Sequence, residues 1–254
     1  MDKDGSIGVF DSGIGGVTVL RELKRILPNE NYIFYSDSIN NPYGDKTDKE
    51  IIEICDNIVK KLICRGCKAI VIACNTASAK AAKYLRSKYI NIPILAIEPA
   101  YKMVHDYSYN KPTLVMATKG TIESDKFNNL YQKYNNHKTY LYPCVGLADV
   151  IEEGNSNKIC KYIEDNIGKY KNKVENIVLG CTHYPLVEEE IKNTLGDNIA
   201  FFDGASGLAK HFSEILDEYD LKRTSKGGSV YFVDTSNKKA IKEERFYKFL
   251  NEAK

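Results

Sequence analysis

The chain has 254 residues, 43% of them hydrophobic, which is enough apolar material for one large domain or two small ones. Its charges nearly cancel, leaving +2, and no basic block interleaves with aromatics, so nucleic acid is not expected as a partner. No run approaches the ~20 apolar residues of a membrane span, so no membrane partner is expected either.

The start, Asp2-Lys3-Asp4-Gly5-Ser6, lacks the apolar centre of a signal peptide. Ile7-Gly8-Val9-Phe10 reads as a short strand running into Asp11-Ser12-Gly13-Ile14-Gly15-Gly16, where the glycines permit a tight turn and close approach of a ligand. Their spacing fits neither a P-loop nor a dinucleotide fingerprint. Val17, Leu20, Leu23 and Leu27 then share one helical face. Tyr32–Tyr35 is a strand opening into Ser36-Asp37-Ser38, read as turn chemistry, and then Asn41-Pro42-Tyr43-Gly44. Thr47-Asp48-Lys49-Glu50 is a capping box for a helix with Ile51, Ile54, Ile58 and Leu62 on its apolar face. Cys64 and Cys67 have C-x-x-C spacing, but no second Cys or His pair accompanies them to make a metal site.

The run Ala69–Ala73 has the continuous apolar character of a strand buried on both faces. It ends at Cys74, and a helical pattern resumes from Ser78. Strand Ile92–Ile97 and the break at Glu98-Pro99 close a first unit. Thr113–Ala117 is a strand leading to Thr118 and Thr121, with Ser124 and Asp125 capping the helix after it; strand Thr139–Tyr142 follows. Short helices ending at Glu153-Gly154 and Ile167 precede a second apolar run, Asn176–Gly180, which again ends at a cysteine, Cys181. Helix Leu186–Leu195, strand Ala200–Asp203, helix Ala205–Tyr219, strand Val230–Val233 and helix Ile241–Leu250 complete the chain. The last strand and helix are expected to pack back on the first unit. Alternation of strand and helix throughout predicts an α/β fold with mostly parallel sheets.

Cys74 and Cys181 lie 107 positions apart (181 less 74), and Asp11 and Thr118 share that offset, which points to an internal duplication. A lone strand-end cysteine is usually a small buried hydrophobe; a matched pair asks for more. Each sits at the carboxyl end of a strand, where open α/β sheets bind ligands, and at a helix start, which favours a thiolate. The seven cysteines have no disulfide-framework spacing, and reduced thiols in the cytoplasm are expected. None of the four histidines has zinc spacing to a cysteine. A nucleophilic pair of Cys181 and His183 is conceivable but leaves the second thiol idle. Two thiols on opposite sides of one carbon suit removal of a proton from one face and its return to the other.

Val9–Gly16, Pro42-Tyr43-Gly44, Ala73-Cys74-Asn75-Thr76-Ala77 and Gly180-Cys181-Thr182-His183-Tyr184-Pro185 resemble, in order, the signature segments of the glutamate racemases, within the cofactor-independent aspartate/glutamate racemase superfamily. A superfamily member acting on aspartate would keep both thiols and differ at the carboxylate end. The resemblance implies two pseudo-symmetric flavodoxin-like domains with the active site in the cleft between them. They would comprise residues 1–97 plus 212–254, carrying Cys74, and 98–211, carrying Cys181. It implies no cofactor and no metal, a small-molecule partner (L- or D-glutamate), a homodimer, and D-glutamate made for peptidoglycan. Only six residues precede the first strand, so the control of racemases activated by a peptidoglycan precursor through an amino-terminal extension is not expected.

Carried over position by position, the resemblance assigns Cys74 to the α-proton of D-glutamate and Cys181 to that of L-glutamate. Asp11 and His183 would assist them, with Glu153 in a similar supporting role. Ser12, Asn75, Thr76 and Thr182 would bind the amino and α-carboxylate groups. Pro42, Tyr43, Gly44 and the Thr118/Thr121 loop would receive the side-chain carboxylate, although Thr118 and Thr121 also suit a plain helix cap, and Glu153 a solvated helix end. The family often has Gly where Ser36 precedes Asp37.

Overall fold

The computed structural model describes residues 2–252. In chain order the first run is β1 (Ile7–Asp11), α1 (Val17–Ile26), β2 (Tyr32–Ser36), α2 (Asp48–Cys64), β3 (Ala69–Ile72), α3 (Asn75–Lys88) and β4 (Ile94–Ala96). The second is α4 (Tyr101–Ser108), β5 (Thr113–Ala117), α5 (Lys119–Ile122), α6 (Asp125–Tyr134), β6 (Thr139–Pro143), α7 (Leu147–Glu153), α8 (Ser156–Ile167), β7 (Asn176–Gly180), α9 (Glu188–Leu195) and β8 (Ala200–Phe202). It closes with α10 (Ala205–Glu218), β9 (Val230–Asp234) and α11 (Lys239–Asn251).

Two compact units result, one formed by the segments up to Ile97 and from Ala205 on, the other by Glu98–Gly204. The chain re-enters the first unit where α10 begins, rather than partway along that helix at 212. α10 is uninterrupted and packs on α1, so it belongs whole to one unit.

The first unit holds a sheet in the order β4-β3-β1-β2-β9 and the second one in the order β6-β5-β7-β8; every pairing is parallel. Matching β1 to β5, β2 to β6, β3 to β7 and β4 to β8 gives the same order twice, with β9 added in the first unit. The registers refine the internal offset. With Cys74 and Cys181 taken as counterparts, Ile72 matches Leu179, an offset of 107 (179 less 72), and their partners Phe10 and Met116 are then offset by 106 (116 less 10). The counterpart of Asp11 is therefore Ala117, and Thr118 matches Ser12.

Side chains alternate across each strand, so both faces of each sheet need cover. In the first unit Phe10, Ile70 and Ile72 pack under α2 and α3 with Ile51, Ile58 and Leu85. Phe34 points the other way from Ile33 and Tyr35, onto Phe232 of β9 and Phe246 of α11, with ring centroids 6.0 and 4.8 Å away. In the second unit Leu114, Met116, Ile177 and Leu179 meet α7, α8 and α9, while Val115 and Val178 meet Tyr101, Val104 and Phe127 from α4 and α6.

The capping box forms as expected: Glu50 N–H donates to Thr47 Oγ1 at 3.3 Å and Thr47 N–H to Glu50 Oε2 at 2.8 Å. α3 begins at Asn75, three residues before the expected Ser78, because Cys74 is itself the cap: Ala77 N–H donates to its sulfur at 3.5 Å. Pro185 sits in a 3-10 turn, Tyr184–Val187, so α9 starts only at Glu188. None of the seven cysteines is in a disulfide. Burial pushes the Cys67 thiol up to about 12, and no group of three potential metal ligands exists among the described residues.

Candidate active site

In the first unit the loops after β1 and β3, neighbours in the sheet, bring Asp11, Ser12, Cys74, Asn75 and Thr76 together, all buried. Asp11 turns its carboxylate into the glycine turn, where Oδ2 accepts from Gly16 N–H at 2.9 Å and lies 3.4 Å from Gly13 N. The glycine at 16 is obligatory for this approach, since a Cβ there would lie 2.7 Å from the Asp11 Cβ. Cys74 Sγ donates to Ser12 Oγ at 3.9 Å and accepts from Ala77 N–H, so the sulfur meets a backbone donor at the positive end of α3. Beside it, the buried Asn75 Oδ1 has no hydrogen-bond partner among the described residues. A buried acceptor is costly to leave unmet, so this one is suited to a ligand donor.

Pro42, Tyr43 and Gly44 lie in the loop before α2. Tyr43 is buried in the same apolar cluster as Cys74, and its hydroxyl donates to Asp37 Oδ2 at 2.7 Å. Reading Asp37 as turn chemistry missed this, because nothing in a Ser-Asp-Ser string announces a partner six residues on.

In the second unit β7 delivers Cys181, Thr182 and His183, all buried. His183 Nδ1 is 3.8 Å from Cys181 Sγ and 3.5 Å from Thr182 Oγ1, and Nε2 is 2.7 Å from Glu152 Oε1. Burial works against a charged ring here, but the hydrogen bonds and charges of Cys181 and Glu152 outweigh it and raise the His183 pKa well above 6.5. The imidazolium can thus donate to the carboxylate on one side and the sulfur on the other. Thr118 caps α5, accepting from Thr121 N–H at 3.2 Å, and its hydroxyl donates to Thr121 Oγ1 at 2.9 Å.

Glu153 is not part of this group: it is exposed and pairs with Lys158 at 2.7 Å, while its neighbour Glu152 meets His183. At about 100° per residue the two carboxylates flank the Leu147/Ile151 stripe of α7 at similar angles, so periodicity does not separate them.

The chain is similar to known racemases over most of its length. The chain is 41% identical over 245 residues to a glutamate racemase of Clostridium perfringens, covering 94% of each. It superimposes on the glutamate racemase of Francisella tularensis in complex with D-glutamate with a TM-score of 0.79, at 31% identity, over 97% of this chain and 94% of that one. For the glutamate racemase of Thermus thermophilus in complex with beta-chloro-D-alanine the TM-score is 0.81, at 28% identity, over 99% and 95%. The profile of the Asp/Glu/Hydantoin racemases matches residues 16–211, spanning the ends of both β3 and β7 and their cysteines. With paired strand-end thiols on a duplicated parallel fold, the chain belongs to the Asp/Glu/Hydantoin racemase family.

Proposed function

We propose that this racemase interconverts L- and D-glutamate without a cofactor, in the cytoplasm, and that its D-glutamate supplies peptidoglycan synthesis. The observation that carries the reading is the matched pair: equivalent strands β3 and β7 are each followed by a buried cysteine outside any disulfide. The names of the relatives support glutamate as the substrate.

In the L-to-D direction Cys181, as thiolate, takes the α-proton, and Cys74, as thiol, gives one to the opposite face; the reverse reaction exchanges their roles. A charged His183 held by Glu152 stabilises the Cys181 thiolate, and Asp11 assists Cys74. Asn75 Oδ1 accepts from the α-ammonium group, while Ser12, Thr76 and Thr182 serve the α-carboxylate. The 42–44 turn and the Thr118/Thr121 loop receive the distal carboxylate. Donors placed around both carboxylates also stabilise the charge that develops when the α-proton leaves.

The test is to incubate protein treated with EDTA and a carbonyl reagent with L-glutamate and follow D-glutamate by chiral chromatography. Racemisation is expected to survive both reagents and to disappear in Cys74→Ala and in Cys181→Ala. Substantial racemisation by either single variant would mean that one base serves both faces and would refute the two-thiol reading.

A further inference from the structure

Asp37, 2% exposed, stands just beyond β2 with a set of bonds that the chemistry above does not use. Its backbone N–H donates to the Asp11 carbonyl at 2.9 Å, which ties together the loops leaving β1 and β2. Its Oδ2 accepts from Tyr43 and also from Asn40 Nδ2, at 2.9 Å. On its far side Thr235, just past β9, brings Oγ1 to 3.5 Å from Oδ1 while accepting from Ile39 N–H at 3.0 Å. A carboxylate this deep is stable only because donors surround it.

The partner bond is equally committed. Burial first, then Cys55 and Asp37, hold the Tyr43 phenol protonated far above its ordinary range, so its proton stays on the bond to Asp37. With the hydroxyl engaged, a carboxylate ligand would be met by the backbone N–H groups at the start of the 3-10 turn Tyr43–Asp45, whose position depends on the ring being held. The other end of the turn is tied separately: Lys80 of α3 donates to the Lys46 carbonyl at 2.8 Å and pairs with Asp48 at 3.0 Å.

We propose that Asp37 is a positioning residue for the substrate's distal carboxylate: by clamping the Tyr43 hydroxyl it fixes the backbone of the 42–46 turn, with Lys80 as a second, independent tie. The proposal rests on the glutamate reading of the site. Ser36, buried beside Asp37, ties the same stretch to β9. Its Oγ is 2.9 Å from Ser38 Oγ, which donates to Asp234 of β9 at 2.5 Å.

Asp37→Asn takes the charge out of the clamp and Tyr43→Phe takes out its donor, each with little change in side-chain size. Each is expected to raise KM for both enantiomers about tenfold, the loss of one charge-assisted bond, with kcat within about threefold. The preference for glutamate over glutamine should narrow in both. The double variant should be no worse than Tyr43→Phe, because both act on the same bond. Lys80→Met should add its own rise to that of Asp37→Asn. Unchanged KM in both single variants, or multiplied effects in their combination, would overturn the proposal. If Asp37→Asn loses its native circular dichroism, Tyr43→Phe, which lacks only a hydroxyl, decides the matter. A wild type that neither binds nor racemises glutamate refutes the glutamate reading and this inference together; an active wild type with unaltered variants refutes this inference alone.

Discussion

Replacing Glu152 by Gln removes the negative charge from a pair whose side chains are only 2% (His183) and 9% (Glu152) exposed. The raised pKa of His183 makes this a pH-dependent loss. A group whose folded pKa is raised contributes stability in full below its unfolded pKa, ~6.5 for His, and loses it as pH rises through the folded value. Deleting one partner of a buried ion pair costs about 3–5 kcal/mol. Gln keeps an acceptor for Nε2, so the expected loss is nearer that of a charge-assisted bond, about 2 kcal/mol. For a chain of this size that lowers the melting midpoint by about 4–8 °C near pH 6. The gap between wild type and variant should narrow as pH is raised through the folded pKa of His183. Thermal unfolding by circular dichroism across a pH series reads the gap, and the ring-proton resonance of His183 reads the pKa directly. A gap that widens with pH, or a wild-type His183 that titrates at its ordinary value, would refute the reasoning.

Gly16→Ala would set a Cβ 2.7, 3.0 and 3.1 Å from Asp11 Cβ, Ala73 Cβ and Phe34 Cε2, costing about 1–3 kcal/mol. Because the atom it displaces belongs to Asp11, kcat for racemisation should fall further than stability, by about tenfold or more for an aspartate moved off a strand end. Lys68→Met leaves the Glu30 carboxylate, now 2.5 Å from the Lys68 ammonium with both side chains at most 2% exposed, buried without its counter-charge and with only the Arg223 N–H still donating to it; urea unfolding should show a loss of about 3 kcal/mol, part of it recovered by adding Glu30→Gln. Thr47→Ala removes only a surface cap and should cost about 1 kcal/mol by the same assay, with racemisation unchanged.

The strands and both thiols could be read from the chain because a strand buried on two faces is a nearly unbroken apolar run, and β3 and β7 both are. The start of α3 could not, since its cap is a cysteine rather than one of the usual Ser, Thr, Asp or Asn residues. α4 went unread because only Tyr101 and Val104 of its residues are buried, too sparse a stripe for periodicity to register. The same limit applies to the site. Residues adjacent to a thiol in sequence could be named, whereas Glu152 and Asp37 bond to partners 31 and 6 positions away that no local pattern encodes.

The first unit is completed only by the end of the chain. Phe34 is covered by Phe232 and Phe246, and the outer edge of β2 is paired only by β9. A ribosome adding roughly 5–20 residues per second reaches those partners roughly 10–40 s after Phe34 has been made. During that interval Glu98–Gly204, an uninterrupted segment, can fold as it emerges, while the nascent first unit shows an open strand edge and a bare aromatic face. Chaperone demand and aggregation during synthesis should therefore fall on chains that have passed Gly204 but not yet reached β9. Stop codons in that window should yield insoluble products rather than shortened racemases.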